Sequence, residues 1–279
     1  MGKLILVPTD FTKVARTAFE HAIQTAKVIN GDIALLHVVD EADEVENARK
    51  RLKEEADWAR NNGANMLIDE EVRIGSIFDD IGDTAVEMNA ELIFMGTHGA
   101  TGWQKIVGSH ALKVITHSEV PFVVVQDKGI KESGYDDIVV PLDLHKETKQ
   151  KLEVVANLAK YFNSKVHIIT PKESDEYFVN QLERNLYFAK KYLGERDIEF
   201  TTKVAPKRDF DDQIIEHANN IDADLITIMN LQKNSLMGMG LLGSNYEQHL
   251  ITNKYKIPVL LVNPVETGIG VGSVITGSI

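Results

Sequence analysis

Met95-Gly-Thr-His-Gly-Ala-Thr-Gly-Trp-Gln-Lys-Ile-Val-Gly-Ser109 joins two segments of opposite character. Before it runs Ala90-Glu-Leu-Ile-Phe-Met95, an apolar stretch that reads as a buried strand. After it comes His110-Ala-Leu-Lys-Val-Ile115, which reads as the first turns of a helix. A glycine loop between a strand and a helix is where an open parallel sheet holds phosphate. Missing side chains let the backbone approach an anion, and free N–H groups at the helix start point at it. The stretch therefore points to an α/β fold and to nucleotide binding.

Outward from this loop, the chain reads as one unit written twice. Lys3-Leu-Ile-Leu-Val-Pro-Thr-Asp10 and Asp136-Asp-Ile-Val-Val-Pro-Leu-Asp143 are both short apolar strands ending in Pro-x-Asp. Ile33 to Val39 matches Lys165 to Ile169, Ala90 to Met95 matches Ala223 to Met229, and Pro121 to Val125 matches Pro258 to Val262. The offset drifts only from 130 to 137 residues, as a tandem duplication requires. The reading gives a first domain over 1–127, a second over 135–265 and a glycine-rich tail over 266–279, with the polar segment Lys128 to Gly134 as linker.

Within the first unit the periodicity predicts strands over 3–8, 32–39, 66–74, 91–95 and 121–126. It predicts helices over about 12–28, 43–61, 76–89 and 109–117. Continuous Val/Ile/Leu runs alternating with amphipathic helices mean a parallel sheet covered on both faces. Its ligand crevice lies beyond the carboxyl ends of the strands, where the strand order switches.

Bulk composition narrows the classes. The 279 residues are 43% hydrophobic and 26% charged, as in a globular protein. A net charge of −12 argues against nucleic acid and anionic lipid as partners. No cysteine is present, which excludes disulfides, thiolate catalysis and thiolate metal sites. Met1 to Pro8 has no signal-peptide pattern and no apolar run suits a membrane helix, so the expected location is the cytoplasm.

At this point the chain resembles the universal stress protein family in its tandem form. The resemblance rests on strand-Pro8-Thr9-Asp10, the second strand with Leu36-His37-Val38, Met95-Gly-Thr-His-Gly99, Gly108-Ser109 before a helix, and the last strand Pro121-Phe-Val-Val-Val125. It implies two tandem Rossmann-like domains of the adenine nucleotide alpha hydrolase-like kind, each with a five-stranded parallel sheet, paired through their last strands. A further homodimer is compatible with it. Some members bind ATP through Gly-x2-Gly-x9-Gly-Ser/Thr, and others lack the motif. By position, Asp10 would accept adenine or ribose contacts, flanked by Pro8 and Thr9, and Val38 would offer main-chain contacts near adenine. Met95, Gly96 and Gly99 would begin the phosphate loop, and Gly108, Ser109 and His110 would offer N–H groups and a hydroxyl to phosphates. ATP, with or without Mg²⁺, is the implied cofactor.

The chain departs from the motif in both halves. Ala100 to Val107 is one residue short, so the first half reads Gly-x2-Gly-x8-Gly-Ser. In the second half, Asn230 and Lys233 stand for the first two glycines ahead of Gly243 and Ser244. That half reads as a degenerate site, or as an altered anion site in which Lys233 supplies charge.

Each residue also has a plainer reading. Asp10 suits a helix N-cap and Ser109 another. Gly96 and Gly99 suit turns, and His98 a solvent-facing loop. His37 and His167 lie at matching places in strands and read as core histidines satisfied by hydrogen bonds. The charged run Glu46 to Arg60 reads as a solvated helix face with Trp58 packed on the domain. No Walker lysine precedes Ser109, and no triad or paired-carboxylate spacing stands out. The expectation is therefore nucleotide binding with little turnover, and no catalytic or metal-ligating residue is assigned. A non-nucleotide scaffold or small-ligand carrier is one alternative, and a slow ATPase or autokinase is another.

Overall fold

A computed structural model describes residues 3–97, 118–144, 148–229 and 246–264. The first half builds β1 (Lys3–Pro8), α1 (Lys13–Ile29), β2 (Gly31–Val39), a 3-10 turn (Ala42–Glu44), α2 (Val45–Asn61), β3 (Ile68–Ile74), α3 (Ile77–Glu87), β4 (Leu92–Gly96) and β5 (Phe122–Val125). The second builds β6 (Asp137–Pro141), α4 (Thr148–Phe162), β7 (Lys165–Pro171), α5 (Glu176–Gly194), β8 (Phe200–Ala205), α6 (Phe210–Asn220), β9 (Leu225–Met229), α7 (Tyr246–Ile251) and β10 (Val259–Val262). The expected strands and the first three expected helices appear within a few residues of their predicted ends. The helix expected over 109–117 and the tail over 266–279 lie outside the described residues.

Local chemistry explains these elements. Thr12 caps α1 by accepting the Ala15 N–H, and Asn30 closes it in the left-handed region at φ 54°. Along α1 the buried positions Ala15, Ala18, Ala22 and Ala26 give a narrow face that lies close on the sheet. The buried stripe of α2 is as small: Ala48, Leu52, Ala56 and Ala59. Trp58 packs beside Phe19 and under the Arg16 guanidinium, as a domain-packing residue should.

The ten strands form one sheet in the order β3-β2-β1-β4-β5-β10-β9-β6-β7-β8. All neighbours run parallel except β5 and β10, which are antiparallel. Each half is thus a five-stranded parallel sheet, and the two meet last strand to last strand as expected. Leu260 lies opposite Val123, Leu261 opposite Phe122 and Val259 opposite Val124, all nearly or fully buried. Joining there removes two exposed edges that would otherwise invite foreign strands. One core layer, with Ile5, Val7, Phe19, Ile138 and Val155, lies under α1, α2, α4 and α5. The other, with Leu6, Ile93, Phe122, Ile214 and Leu261, lies under α3, α6 and α7.

The linker is held rather than loose. His21 of α1 bonds the Tyr135 hydroxyl through Nδ1 at 2.8 Å and the Lys128 carbonyl through Nε2 at 3.0 Å. Gly134 has φ 90°, and a Cβ there would sit 2.2 Å from the Phe162 ring, so only glycine lets this turn close.

Candidate functional site

In each half the strand order reverses between the first and fourth strands, which places the crevice of the first half at the carboxyl ends of β1 and β4. Pro8 ends β1 opposite Leu36, and the Thr9 N–H continues the ladder to the Leu36 carbonyl at 2.8 Å. The Thr9 hydroxyl accepts the Phe11 N–H at 3.0 Å, and the Thr9 carbonyl bonds His37 Nδ1 at 2.6 Å. Phe11 takes φ 63°, a left-handed conformation that turns the chain from strand to helix. Its ring meets the His37 ring at 4.5 Å and the Arg51 guanidinium at 4.0 Å, and these contacts hold the turn.

Asp10 lies inside this turn. Its Oδ1 accepts both the N–H and the hydroxyl of Thr12, at 3.1 and 2.6 Å. Thr12, not Asp10, is the helix N-cap, so the plainer reading of Asp10 is corrected: it props the cap residue. That task occupies one carboxylate oxygen. The other, Oδ2, is shielded from solvent and has no hydrogen-bond donor among the described residues. A buried carboxylate oxygen without a donor is costly.

The remaining described candidates differ in what they offer. Val38 lies in β2, two residues beyond Leu36, the last register partner of β1. Its side chain packs, like those of Ile77 and Phe78, against the core layer under α3. Met95 is 1% exposed and its side chain belongs to the same core. Gly96 closes β4 opposite Val125. A Cβ on it would sit 3.0 Å from the Ala15 nitrogen and the Val14 carbonyl carbon. The close approach that demands glycine here is therefore that of the α1 backbone. Gly99, Gly108, Ser109 and His110 lie outside the described residues, as does His98.

The family's sequence profile matches residues 1–126 and again 134–263. The chain belongs to the universal stress protein family. A universal stress protein of Methanocaldococcus jannaschii is 33% identical over 139 residues, which is 44% of this chain and 82% of the relative. A crystal structure of a universal stress protein from Archaeoglobus fulgidus is similar across 94% of this chain and 97% of its own, with 20% identity and a TM-score of 0.69. A universal stress protein solved in complex with cAMP aligns with 46% of this chain and 98% of its own, at 23% identity and a TM-score of 0.39. The profile's double match shows the tandem arrangement, and the full-length likeness agrees with the ten-stranded sheet.

The second universal stress protein repeat keeps the frame and changes the residues at the crevice. Leu142 N–H bonds the Ile169 carbonyl at 2.9 Å, as Thr9 does Leu36. Ile138 pairs with Leu225 as Ile5 pairs with Leu92. Asp143 therefore answers Asp10, and α5 pins its loop through Asn185 to the Asp143 carbonyl and Gln181 to the Leu144 carbonyl. This register corrects two readings. Met229, opposite Val262, and not Asn230, stands in the place of Gly96. Lys233, Gly243 and Ser244 lie outside the described residues.

The second correction concerns the histidines. Since Pro8 pairs with Leu36 and Pro141 with Ile169, His167 answers Ala34, and the two histidines are not counterparts. Both are nonetheless hydrogen-bonded. His37 is half-buried on Thr9, and His167 bonds Asp137 at 2.6 Å and the Thr201 hydroxyl at 2.9 Å. Sequence reasoning overlooked Thr12, Phe11 and Arg51. The Asp-x-Thr pattern directly after the strand was the available signal for the first.

Proposed function

We propose that the first repeat binds an adenine nucleotide, ATP or a close relative, and that binding rather than rapid turnover sets the protein's interactions with others. The single observation that carries this reading is the buried Asp10 Oδ2, which has no donor among the described residues at the crevice between β1 and β4. A ribose hydroxyl or an adenine amine is the kind of donor that completes it. The family resemblance and the glycine motif support the same reading. In it, Pro8 and Thr9 shape the wall, the Val38 main chain faces the base, and Met95 and Gly96 lead into the phosphate side. Gly99, Gly108, Ser109 and His110 would serve the phosphates, with Mg²⁺ as a companion. Residues 1–127 would be the binding unit, 135–265 its paired partner and 266–279 a tail, acting in the cytoplasm.

A second reading, a scaffold or small-ligand carrier without nucleotide, draws on Gly96. Packing against α1 explains this glycine without any phosphate. Mass spectrometry of small molecules released on denaturation separates the two. Adenine nucleotide near one per chain, lost in Asp10→Asn, supports binding. No released nucleotide, together with no uptake of ATP and Mg²⁺ in equilibrium dialysis at millimolar concentration, sinks it in favour of the scaffold.

A further inference from the structure

Lys151 stands where the first repeat has an alanine. Asn30 and Asn163, both left-handed at φ 54°, close α1 and α4, and counting back from each sets Lys151 against Ala18. Both positions face the sheet: Ala18 is 0% and Lys151 4% exposed. The alanine adds a methyl group to the core. The lysine carries an ammonium along the same path to the carboxyl end of β6, where its Nζ donates to the Pro141 carbonyl. That carbonyl belongs to the last residue of β6, at the switch between β6 and β9.

An ammonium has three donors, and this one has a single acceptor among the described residues. No carboxylate oxygen of a described residue lies within 4.0 Å of it. Asp143 acts on it only at longer range. Burying a cation with one neutral acceptor is expensive, and a protein interior normally offsets this with an anion. We propose that Lys151 anchors a second binding site, for a compact oxyanion of the phosphate or carboxylate kind, at the β6–β9 crevice of the second repeat. A small oxyanion matches the donor, a single ammonium with N–H bonds to spare among the described residues. Burial lowers the Lys151 pKa to about 8, with Asp143 acting in the opposite direction, so the charged form still dominates at neutral pH.

The test reads the lysine itself in the full chain. The side-chain ¹³Cε resonance of Lys151 is assigned by its loss in Lys151→Met, with Lys151→Ala as a second variant that copies the first repeat. Its titration is followed at constant ionic strength in chloride, then with inorganic phosphate, then with acetate. The site predicts about a tenfold tightening of proton binding at Lys151 when the fitting anion is present. A shift with phosphate alone assigns a phosphate-type ligand, and a shift with acetate alone assigns a carboxylate. A shift with both assigns a general oxyanion site. An unchanged titration with both anions overturns the proposal. The outcome is separable from nucleotide binding, because Asp10→Asn strikes the first repeat and leaves the Lys151 shift in place.

Discussion

Gln126 and Asn263 follow β5 and β10, and each reaches across to the other repeat. Gln126 Nε2 donates to the Asn253 carbonyl at 3.0 Å, and Asn263 Nδ2 donates to the Ser118 carbonyl at 2.7 Å. Both side chains are buried, so the pair forms a reciprocal clasp at the two ends of the antiparallel seam. Removing the Asn263 amide takes a donor from the Ser118 carbonyl, and removing the Gln126 amide leaves the Asn253 carbonyl with the Lys256 N–H alone. Asn263→Ala and Gln126→Ala are each expected to cost roughly 1–3 kcal/mol in urea unfolding. A loss near zero for both would show that the strand pairing alone carries the seam.

The seam itself should dominate that ledger. Leu260 is fully buried opposite Val123. Leu260→Ala opens a cavity between the two repeats and is expected to cost about 2–5 kcal/mol. Calorimetry should also show the two repeats beginning to melt separately. One unchanged, cooperative transition would contradict the seam's role in joining them.

Gly96 should be intolerant of substitution even without ligand. A new Cβ meets α1 backbone, which has no flexible end to move aside. Gly96→Ala is expected to destabilise by about 1–3 kcal/mol in nucleotide-free protein. Loss of nucleotide in a Gly96 variant is therefore ambiguous, and Asp10→Asn is the cleaner probe. An unaffected melting temperature in Gly96→Ala would return the glycine to a ligand role.

His21 predicts a pH dependence. Burial lowers its pKa from 6.5 to about 4, with the Lys128 carbonyl bond opposing and the Lys128 charge assisting. The folded state thus holds the proton more weakly than the unfolded chain, so stability falls as pH drops through the window from 6.5 to about 4. The full loss is on the order of 3 kcal/mol. His21→Gln, compared with the parent across that window by urea unfolding, should flatten this part of the curve. Parallel curves for the two proteins would refute it.

Much of the fold was legible in the residues, and the reasons are local. Val/Ile/Leu runs of strand length mark β1, β4, β6 and β9, and alanines at helical spacing mark α1. The repeated Pro-x-Asp and the matching final strands revealed the duplication. The site was less legible. Asp10 and Gly96 could be named from their motifs, but their tasks depend on what lies across from them. Asp10 suits a cap as well as a ligand contact by sequence, and Thr12 holds the cap; Gly96, placed by its motif in the phosphate loop, also lies against the α1 backbone. His37 and His167 seemed counterparts because both sit in second strands, and only strand register separates them.

The sequence by itself determined two α/β repeats, the strands that join them and the family to which the chain belongs. These rest on periodicity and motifs that each segment carries alone. Only the tertiary structure decided that Asp10 keeps one carboxylate oxygen without a donor among the described residues, that Met229 takes the place of Gly96, and that Lys151 brings an ammonium to the end of β6. Each of these depends on how strands and helices are brought together in three dimensions. Burial and hydrogen-bond satisfaction belong to that arrangement, and no single stretch of sequence contains them.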